Sequence, residues 1–575
     1  MSAGAYTAGA LDALLEALEA FYGRDKTPHS VIIKTTAGSS GGAVCAAILG
    51  LLSSRVVTHV TSDATPPTPE GNPHNLPVPA NPANPVVTNN PLWDLWVNQF
   101  QIEPMLALGD MGNDADQGSG APVTHVQHVP SLLNGGIIDQ VGANLAEIGG
   151  TAGKPLPYFA APFRIAVTIA NLRGIPYKIL NIPTLGDYSG AAYVEHDDFA
   201  RFAFPNGASP TPTATLIGKR EDEFWLSSTP APDVVPYTIL VAYATASGAL
   251  PLGFPARALT RPVDHYFYRP KVRPTTDAPG HRTEWFEPDM SGLPDAVNGM
   301  YAFTAVDGGT FNNDPVSLVH QTLAGLIGIN PRGSSDARRA IFMIDPLADQ
   351  PKPIARTGKS LLSVVENIVG TVVSSSRYLT ADMELFAKDE VFSRFQLVPF
   401  RPESGRVGGA ALAGTSLFAA AGWCARAFRV HDYLLGRQNM QVYLQRELVL
   451  AGDNPLFKNW TIGDRMDYAT DKRGDHIVID ANAPPGSYFL PIIPAKDVMP
   501  QPVPTWPRGA CDPSKVKPLL ETRVQAVVKQ LITDNVAGSL LPWLIKAFAV
   551  AGVVDTVVDQ IVVEWIAALD KAELL

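Results

Sequence analysis

The sequence predicts an α/β fold, and three features of its amino-terminal part carry that prediction. Apolar residues from Leu11 to Phe21 recur at intervals of three and four, which is typical of an amphipathic helix with one buried face. The β-branched run at residues 30–36 predicts a short strand, and small residues follow it. An all-apolar pattern at residues 43–52 then predicts a buried helix. A helix, a strand, a tight turn and a second helix in this order begin an α/β domain.

Composition narrows the class of protein. Charged residues make up 17% of the 575 positions and hydrophobic residues 46%, which indicates an ordered globular protein. The net charge of -11 and the lack of Lys/Arg clusters argue against a nucleic-acid partner. Cys45, Cys424 and Cys511 are far apart in sequence and lack C-x-x-C spacing, so neither a disulfide framework nor a zinc site is expected. A reducing, cytoplasmic compartment is therefore predicted.

Prolines divide the chain. Residues 61–91 and 484–513 each hold nine prolines, which predicts a surface insertion in the first case and a surface loop in the second. Between them, short apolar runs predict strands at 163–169, 238–244 and 340–344, and helical patterns dominate from 361 to 450 and from 516 onward. The apolar stretch at 536–569 is interrupted by charges, so packed helices are expected there instead of a membrane span. We expect an α/β domain at 1–350 and a mainly helical extension at 351–575.

The turn between the first strand and the buried helix contains a G-x-S-x-G motif. It runs from Gly38 through Ser40 to Gly42, and Gly41 follows the serine directly. Such a turn is sharp enough to need glycines, and it projects the serine hydroxyl from the end of a sheet. The Gly41 N–H and the dipole of the following helix can stabilise an oxyanion. Ser40 is therefore the candidate nucleophile.

A candidate base lies far along the chain. Asp307 is followed by Gly308 and Gly309, a sequence typical of a tight turn. Together with the serine motif, this Asp-Gly-Gly sequence resembles the patatin-like phospholipase family, whose hydrolases use a Ser-Asp dyad drawn from G-x-S-x-G and D-G-[GA]. Further segments are similar to that family in the same order: residues 4–11, 171–172, 246–255 and 429–439.

The resemblance implies a structure and an activity. The implied fold is a patatin-like three-layer α/β/α arrangement with a central, mostly parallel sheet, extended by carboxyl-terminal helices. The implied reaction is hydrolysis of a carboxylic ester in a lipid, in which Asp307 takes the proton of Ser40 and an acyl-enzyme forms. No histidine, cofactor or metal is needed. The substrate is a lipid or another ester, and transient contact with a membrane surface is expected.

One part of the family pattern is missing. The family's oxyanion loop, G-G-G-x-[KR]-G, should precede the first helix, but here only Gly4 matches it and Ala3 stands where Lys or Arg is usual. Either Met1 is an internal methionine of a longer loop, which we favour, or the chain is a catalytically impaired relative that binds lipid or acts as a scaffold.

The sequence leaves room for other chemistries besides the dyad. A Ser-His-Asp esterase needs a histidine after the acid, and His320, His431 and His476 have the required order. A metal site is not expected, because His125 and His128 have no third ligand nearby. For His196, Asp197 and Asp198, a solvated charge cluster is the simpler interpretation. For Arg426, Arg429 and Arg437, which could contact lipid headgroups, an exposed helix face is the simpler one.

Overall fold

The computed structural model describes most of the chain. The described residues are 3–62, 89–111, 129–149, 153–180, 190–207, 222–228, 234–269, 271–275, 282–290, 299–325, 328–348, 384–415, 421–494, 500–533 and 553–575. Most of the proline-rich insertion, the predicted boundary near residue 350 and the pair His125 and His128 lie outside them.

Helices occur along the whole described chain, both before and after the strands of the central sheet. The helices are α1 (Gly4–Tyr22), α2 (Gly41–Leu52), α3 (Pro91–Trp93), α4 (Ile102–Leu106), α5 (Gly136–Gly149), α6 (Tyr237–Ser247), α7 (Val316–Ala324), α8 (Ala421–Cys424), α9 (Arg426–Arg446), α10 (Ile462–Tyr468), α11 (Pro513–Thr533) and α12 (Val553–Lys571). A π-helix, Asp94–Gln99, follows α3 directly. Short 3-10 helices lie at Val263–Tyr268, Gly308–Thr310, Gly408–Ala411, Ala413–Thr415, Pro455–Phe457 and Pro485–Ser487.

Within the described residues, the strands form one central sheet and four small two-stranded sheets. They are β1 (Ile33–Gly38), β2 (Phe159–Leu180), β3 (Gly190–Phe204), β4 (Glu223–Leu226), β5 (Val234–Val235), β6 (Arg257–Pro262), β7 (Lys271–Thr275), β8 (Arg282–Phe286), β9 (Met300–Asp307), β10 (Ile341–Ile344), β11 (Arg394–Leu397), β12 (Phe400–Arg401), β13 (Arg406–Val407), β14 (Val449–Ala451) and β15 (Phe489–Pro491). The central sheet has the order β5-β4-β3-β2-β9-β6, and β1 also pairs with β2. The mixed α/β class predicted from sequence is confirmed.

The central sheet mixes strand directions. The pairings β1–β2, β3–β4 and β4–β5 are parallel, whereas β2–β3, β2–β9 and β6–β9 are antiparallel. The expectation of a mostly parallel sheet therefore holds for only half of these described pairings. The physical reason is clearest between β2 and β3, because only residues 181–189 separate them. A parallel crossover needs a dozen residues or more, whereas antiparallel neighbours can be joined by a short connection.

The long strand β2 places two other strands end to end. Residues 163–170 of β2 pair with β3 along one edge. Residues 164–167 also pair with β1, and residues 169–171 pair with β9, so both of these strands occupy the opposite edge. Because β1 runs parallel to β2 and β9 runs antiparallel to it, their carboxyl ends point toward each other. They meet beside Thr168, between Gly38 at the end of β1 and Asp307 at the end of β9.

Most local predictions hold, but the surface loop predicted at 484–513 contains the largely buried strand β15, and the strand predicted at 238–244 is wrong. The predicted first helix, first strand and buried helix correspond to α1, β1 and α2, and the runs at 163–169 and 340–344 lie in strands β2 and β10. The run at 238–244 is not a strand but part of helix α6. A short apolar run cannot be assigned by periodicity alone. Here it is buried on several sides and continues into Thr245 and Ser247 before Gly248, which makes it long enough for three helical turns.

The carboxyl-terminal region packs onto the amino-terminal helix. Helices α1 and α9 come so close that a Cβ atom at Gly9 would overlap the carbonyl oxygen of Tyr433, and one at Gly436 would overlap that of Tyr6. One continuous apolar core includes Leu15 of α1 and Leu435 of α9. Besides its helices, the region after residue 384 contains strands β11 to β15. The core thus joins the two parts of the chain.

Asp198 is a correction to the sequence analysis. Instead of belonging to a solvated cluster, its side chain is fully buried and accepts hydrogen bonds from Asn171 Nδ2 at 3.0 Å and Arg261 Nη1 at 2.9 Å. Burial by itself would raise the pKa of Asp198, but the guanidinium groups of Arg261 and Arg269 outweigh it and hold that pKa at about 2. A charge can be buried in this way only when partners of opposite charge surround it.

The arginines of α9 are a second correction, because two of them are buried instead of forming an exposed face. Arg429 donates to the carbonyl oxygens of Val97 and Gly422. Arg437 pairs with the buried carboxylate of Asp12 on α1. Burial alone would raise the pKa of Asp12, yet its charged neighbours, Arg437 first among them, hold that pKa at about 2. These arginines therefore fasten α9 to the helices around it.

The apolar carboxyl-terminal stretch was expected to form packed helices, and α12 accounts for its second half. Residues 534–552 lie outside the described part. Across the helices that the structure describes, none combines the length and apolar character that crossing a membrane requires.

Candidate active site

Ser40 lies in a strained turn between β1 and α2. Its backbone has φ 52° and ψ -124°, a conformation that is rare for any residue other than glycine. The turn also brings two backbone segments together, since a Cβ atom at Gly38 would overlap the Gly42 carbonyl oxygen. Gly42 N–H donates to the Ser39 carbonyl at 2.8 Å. The chain therefore folds here into the sharp elbow that the sequence motif predicts, with Ser40 at its tip.

Ser40 and Asp307 are in direct contact, as predicted. The Ser40 hydroxyl donates to Asp307 Oδ2 at 2.6 Å. Asp307 is buried, and its other oxygen, Oδ1, accepts the Gly309 N–H at 2.8 Å. Burial raises the pKa of Asp307, although the hydrogen bonds from Ser40 and Gly309 act in the opposite direction. The carboxylate is consequently a stronger base than an exposed aspartate and lies within proton-transfer distance of the hydroxyl.

Gly308 and Gly309 shape the turn that presents Asp307. A Cβ atom at Gly308 would overlap the backbone of Thr168 on β2. At Gly309, a Cβ atom would lie 2.8 Å from Asn313 Oδ1 and 3.1 Å from Asp307 Oδ1. Glycine is required at Gly308, because the turn packs there against the backbone of the central strand, whereas the atoms nearest to Gly309 belong to side chains. The acid turn proposed from sequence thus has a strict packing reason at Gly308 and a weaker one at Gly309.

The amino end of α2 offers a donor for an oxyanion. The Gly41 N–H is the first of the helix and makes no hydrogen bond to another residue in the part of the chain that the structure describes. Gly42 differs, because its N–H is already bound to Ser39. A Cβ atom at Gly42 would find open space, so packing does not require a glycine there. Among the elbow glycines, Gly41 supplies the N–H that can bind an oxyanion. Gly38 is a glycine because a Cβ atom there would overlap the Gly42 carbonyl oxygen.

Gly4, which matches the last glycine of the family's oxyanion loop, begins α1. Its carbonyl accepts a hydrogen bond from Cys45 Sγ on α2 at 3.8 Å. A Cβ atom at Gly4 would overlap the indole ring of Trp96. These contacts place Gly4 against the helix that begins at the elbow and explain its identity by packing. A role in binding an oxyanion stays a prediction.

Two contacts at the site were missed by sequence reasoning. The Ser40 N–H donates to Ser247 Oγ at 2.9 Å, and the Asp307 N–H donates to the carbonyl of Ala249 at 2.9 Å. Both partners lie at the end of α6, within the segment 246–255 that contributed to the family resemblance. The sequence carried a signal for this segment but none for the role of either residue.

The histidines considered for a triad have other surroundings. His431 is buried in α9, where its Nδ1 bonds to Asp432 Oδ1 at 2.8 Å and its Nε2 accepts from Arg401 at 2.5 Å. Both ring nitrogens are thus occupied. His476 is exposed, and His320 lies half-buried on α7. The Ser40 hydroxyl is directed at a carboxylate instead, which favours the dyad over the triad.

Within the described residues, no group of three or more His, Cys, Asp or Glu side chains is arranged to hold a metal ion. Cys424 and Cys511, which are far apart in sequence, are nevertheless brought close enough for their thiols to interact. Sequence spacing gave no indication of this contact, because it depends on how α8 and the segment before α11 pack.

A cavity of about 810 Å³ lies between α5, α6 and the start of β6. Val241 and Thr245 of α6 line one side and Gly142 of α5 another. Arg257 and Asp139, which form an ion pair, also line it. Neither Ser40 nor Asp307 is among its lining residues. The cavity is therefore next to the helix that supports the site, not at the dyad itself.

Nearly the whole chain aligns with a protein of known sequence. This chain is similar to the uncharacterized protein y4iI of Sinorhizobium fredii, with 28% identity over 571 residues. The aligned part covers 94% of this chain and 76% of that protein. No protein-family model matches the chain, and no solved structure matches it. The geometry at Ser40 and Asp307 is therefore the main indication of a chemistry for this protein.

Proposed function

We propose that this protein is a serine hydrolase that cleaves carboxylic esters of lipids, with a patatin-like three-layer α/β/α fold. The observation that supports this most directly is the 2.6 Å hydrogen bond from the Ser40 hydroxyl to buried Asp307, made from a strained elbow. Strained backbone persists only where the surrounding structure enforces it, and it is concentrated at functional sites. A structural role for Ser40 would not need this conformation.

The proposed reaction has two steps that use the same two residues. Asp307 takes the hydroxyl proton while Ser40 Oγ bonds to the ester carbonyl carbon, and the proton then passes to the leaving alcohol as the ester C–O bond breaks. The acyl-enzyme that remains is attacked by water, which gives its proton to Asp307. Ser40 recovers that proton as the carboxylic acid leaves. The Gly41 N–H stabilises the oxyanion in both steps.

Apolar side chains near the dyad support a lipid substrate. Leu250 and Leu252 follow Ala249, which holds Asp307, and their side chains are 45% and 68% exposed. Phe311, just after the acid turn, is 43% exposed. Exposed apolar groups beside a reactive centre suit an acyl chain or transient contact with a lipid surface.

The test is covalent labelling by a fluorophosphonate probe together with hydrolysis of a panel of lipid and short-chain esters. Wild-type protein should be labelled at Ser40, and Ser40→Ala should lose both labelling and turnover. Asp307→Asn should lose turnover, whereas alanine at His320, His431 or His476 should spare it. Because burial raises the pKa of Asp307, activity should fall on the acid side with a midpoint above the ordinary aspartate value of about 3.8.

The alternative is a catalytically impaired relative that binds lipid, motivated by the incomplete glycine loop around Gly4. A folded protein that binds lipid vesicles but shows neither labelling nor turnover supports that alternative. Loss of turnover in one histidine variant that still folds supports the Ser-His-Asp esterase instead.

A further inference from the structure

We infer that Ser247 is a positioning residue for the Ser40–Asp307 dyad, an inference that rests on the proposed function. Ser247 is the last residue of α6 and is fully buried. Its hydroxyl oxygen accepts the backbone N–H of Ser40 at 2.9 Å. The nucleophile is therefore held by an element outside its own turn.

The same short segment also holds the base. Two residues after Ser247, the Ala249 carbonyl accepts the Asp307 N–H at 2.9 Å. The segment is itself fixed to the end of α6, since Gly248 N–H donates to Ala244 and Ala249 N–H donates to Ala246, both at 3.1 Å. Residues 247–249 thus set the positions of both members of the dyad relative to one helix.

Ser40 needs such an external constraint. A non-glycine residue at φ 52° and ψ -124° relaxes toward an ordinary conformation unless its neighbours prevent it. Removal of the Ser247 hydroxyl also leaves the Ser40 N–H without its acceptor, which favours a shift of the elbow. A displacement of about 1 Å is enough to lower a rate about a hundredfold, because proton transfer and attack depend on alignment.

Ser247→Ala tests the inference, with Thr245→Val as the matched control. Thr245 is also a buried hydroxyl residue of α6, but its hydroxyl donates to Val241 and Ala242 of the same helix. We expect kcat to fall by about tenfold to a hundredfold in Ser247→Ala with KM nearly unchanged. Fluorophosphonate labelling should slow in parallel, and Thr245→Val should match wild type in both rates.

The pH dependence separates positioning from stability. The Ser40 hydrogen bond lowers the pKa of Asp307, so a weakened bond should move the acid limb of the rate profile to higher pH in Ser247→Ala. A residue that only stabilises the fold leaves this limb in place. Ser247→Cys, which keeps a side chain of similar shape but a poorer acceptor, should give an intermediate loss of kcat and serves if the alanine variant does not fold.

The outcomes are distinguishable. If wild type is active, Ser40→Ala is inactive and the folded Ser247 variants match Thr245→Val in kcat and in pH profile, the role of Ser247 is refuted while the proposed hydrolase stands. If wild type is neither labelled nor active on any ester, the proposed function fails and the positioning role fails with it.

Discussion

At the scale of single residues, the site combines two features that oppose stability. Ser40 has a backbone conformation that only glycine adopts without cost, and Asp307 carries a carboxylate in a buried position. Each feature serves the proposed reaction, because one projects the hydroxyl and the other strengthens the base. Substitutions that remove them should therefore stabilise the protein while abolishing activity.

Ser40→Gly should be more stable than Ser40→Ala. Both variants lose the hydroxyl, but only glycine relieves the strain at positive φ, so we expect a difference of about 1 kcal/mol in the free energy of unfolding. Urea unfolding of the two variants measures it, and the comparison cancels the lost hydrogen bond to Asp307. Equal stability, or a more stable alanine variant, would contradict the strained elbow.

Asp307→Asn should stabilise the fold in a pH-dependent way. The pKa of Asp307 is raised in the folded state. Its contribution to the free energy of unfolding is therefore fully present below about pH 3.8 and is lost as pH rises through the folded-state pKa. Asparagine stays neutral throughout. The free energy of unfolding of Asp307→Asn should therefore exceed that of wild type by more at pH 7 than at pH 4.

Urea unfolding at the two pH values provides the measurement. Asp336→Asn is a suitable control, because Asp336 is exposed at the Gly333 turn and lies away from the dyad in sequence. A gain for Asp307→Asn that is the same at both pH values would show that the carboxyl is not perturbed by burial.

At the scale of elements, the contact between α1 and α9 depends on two glycines. Gly9 faces the Tyr433 carbonyl and Gly436 faces the Tyr6 carbonyl, so the backbones touch on both sides of the crossing. The ion pair between Arg437 and Asp12 lies in the same interface. The crossing therefore combines close backbone approach with a buried ion pair, and each of the two restricts how α9 can lie on α1.

Gly9→Ala should destabilise the protein although alanine is the better helix former. The added Cβ must push α9 away from α1, and such overpacking costs about 1–3 kcal/mol. Gly463→Ala in α10 is the control, because the nearest atom to its Cβ would be Thr461 Oγ1 at 3.7 Å. That variant should keep or gain up to about 1 kcal/mol. Chemical denaturation of both decides, and equal stabilities would refute the tight crossing.

At the scale of the whole molecule, the carboxyl-terminal region packs against the amino-terminal part of the chain. Arg523 of α11 donates to the carbonyl oxygens of Leu132 and Ala107 and pairs with Asp110. Arg24, just after α1, donates to the Pro494 carbonyl at 2.7 Å. Contacts of this kind connect distant parts of the chain at several points.

The full chain should therefore unfold in one transition. Calorimetry, far-ultraviolet circular dichroism and tryptophan fluorescence should report the same midpoint. A chain cut after residue 348 loses α9 and exposes the buried face of α1, including Tyr6 and Leu15, so it should aggregate or remain loosely packed. A soluble, cooperatively folding fragment with esterase activity would show that the first part is independent.

The sequence by itself determined the elements whose signals are local. The elbow at Ser40 follows from glycines on either side of a serine between a strand and an apolar helix, and the turn at Asp307 follows from two adjacent glycines. Helix α1 follows from the spacing of its apolar residues. Each of these patterns needs information only from neighbours along the chain, and the pair of candidate residues could be named from them.

Only the tertiary structure decided the features that depend on distant partners. The helix at α6, the mixed sheet, the burial of Asp198 and the support of Ser40 by Ser247 all arise from contacts between residues far apart in sequence. The local sequence of an apolar run or a charged residue is the same whichever partner it contacts in the fold. The conformation of the run and the protonation of the charged side chain are set by burial and hydrogen bonding, because these change the free energy by more than local preference does.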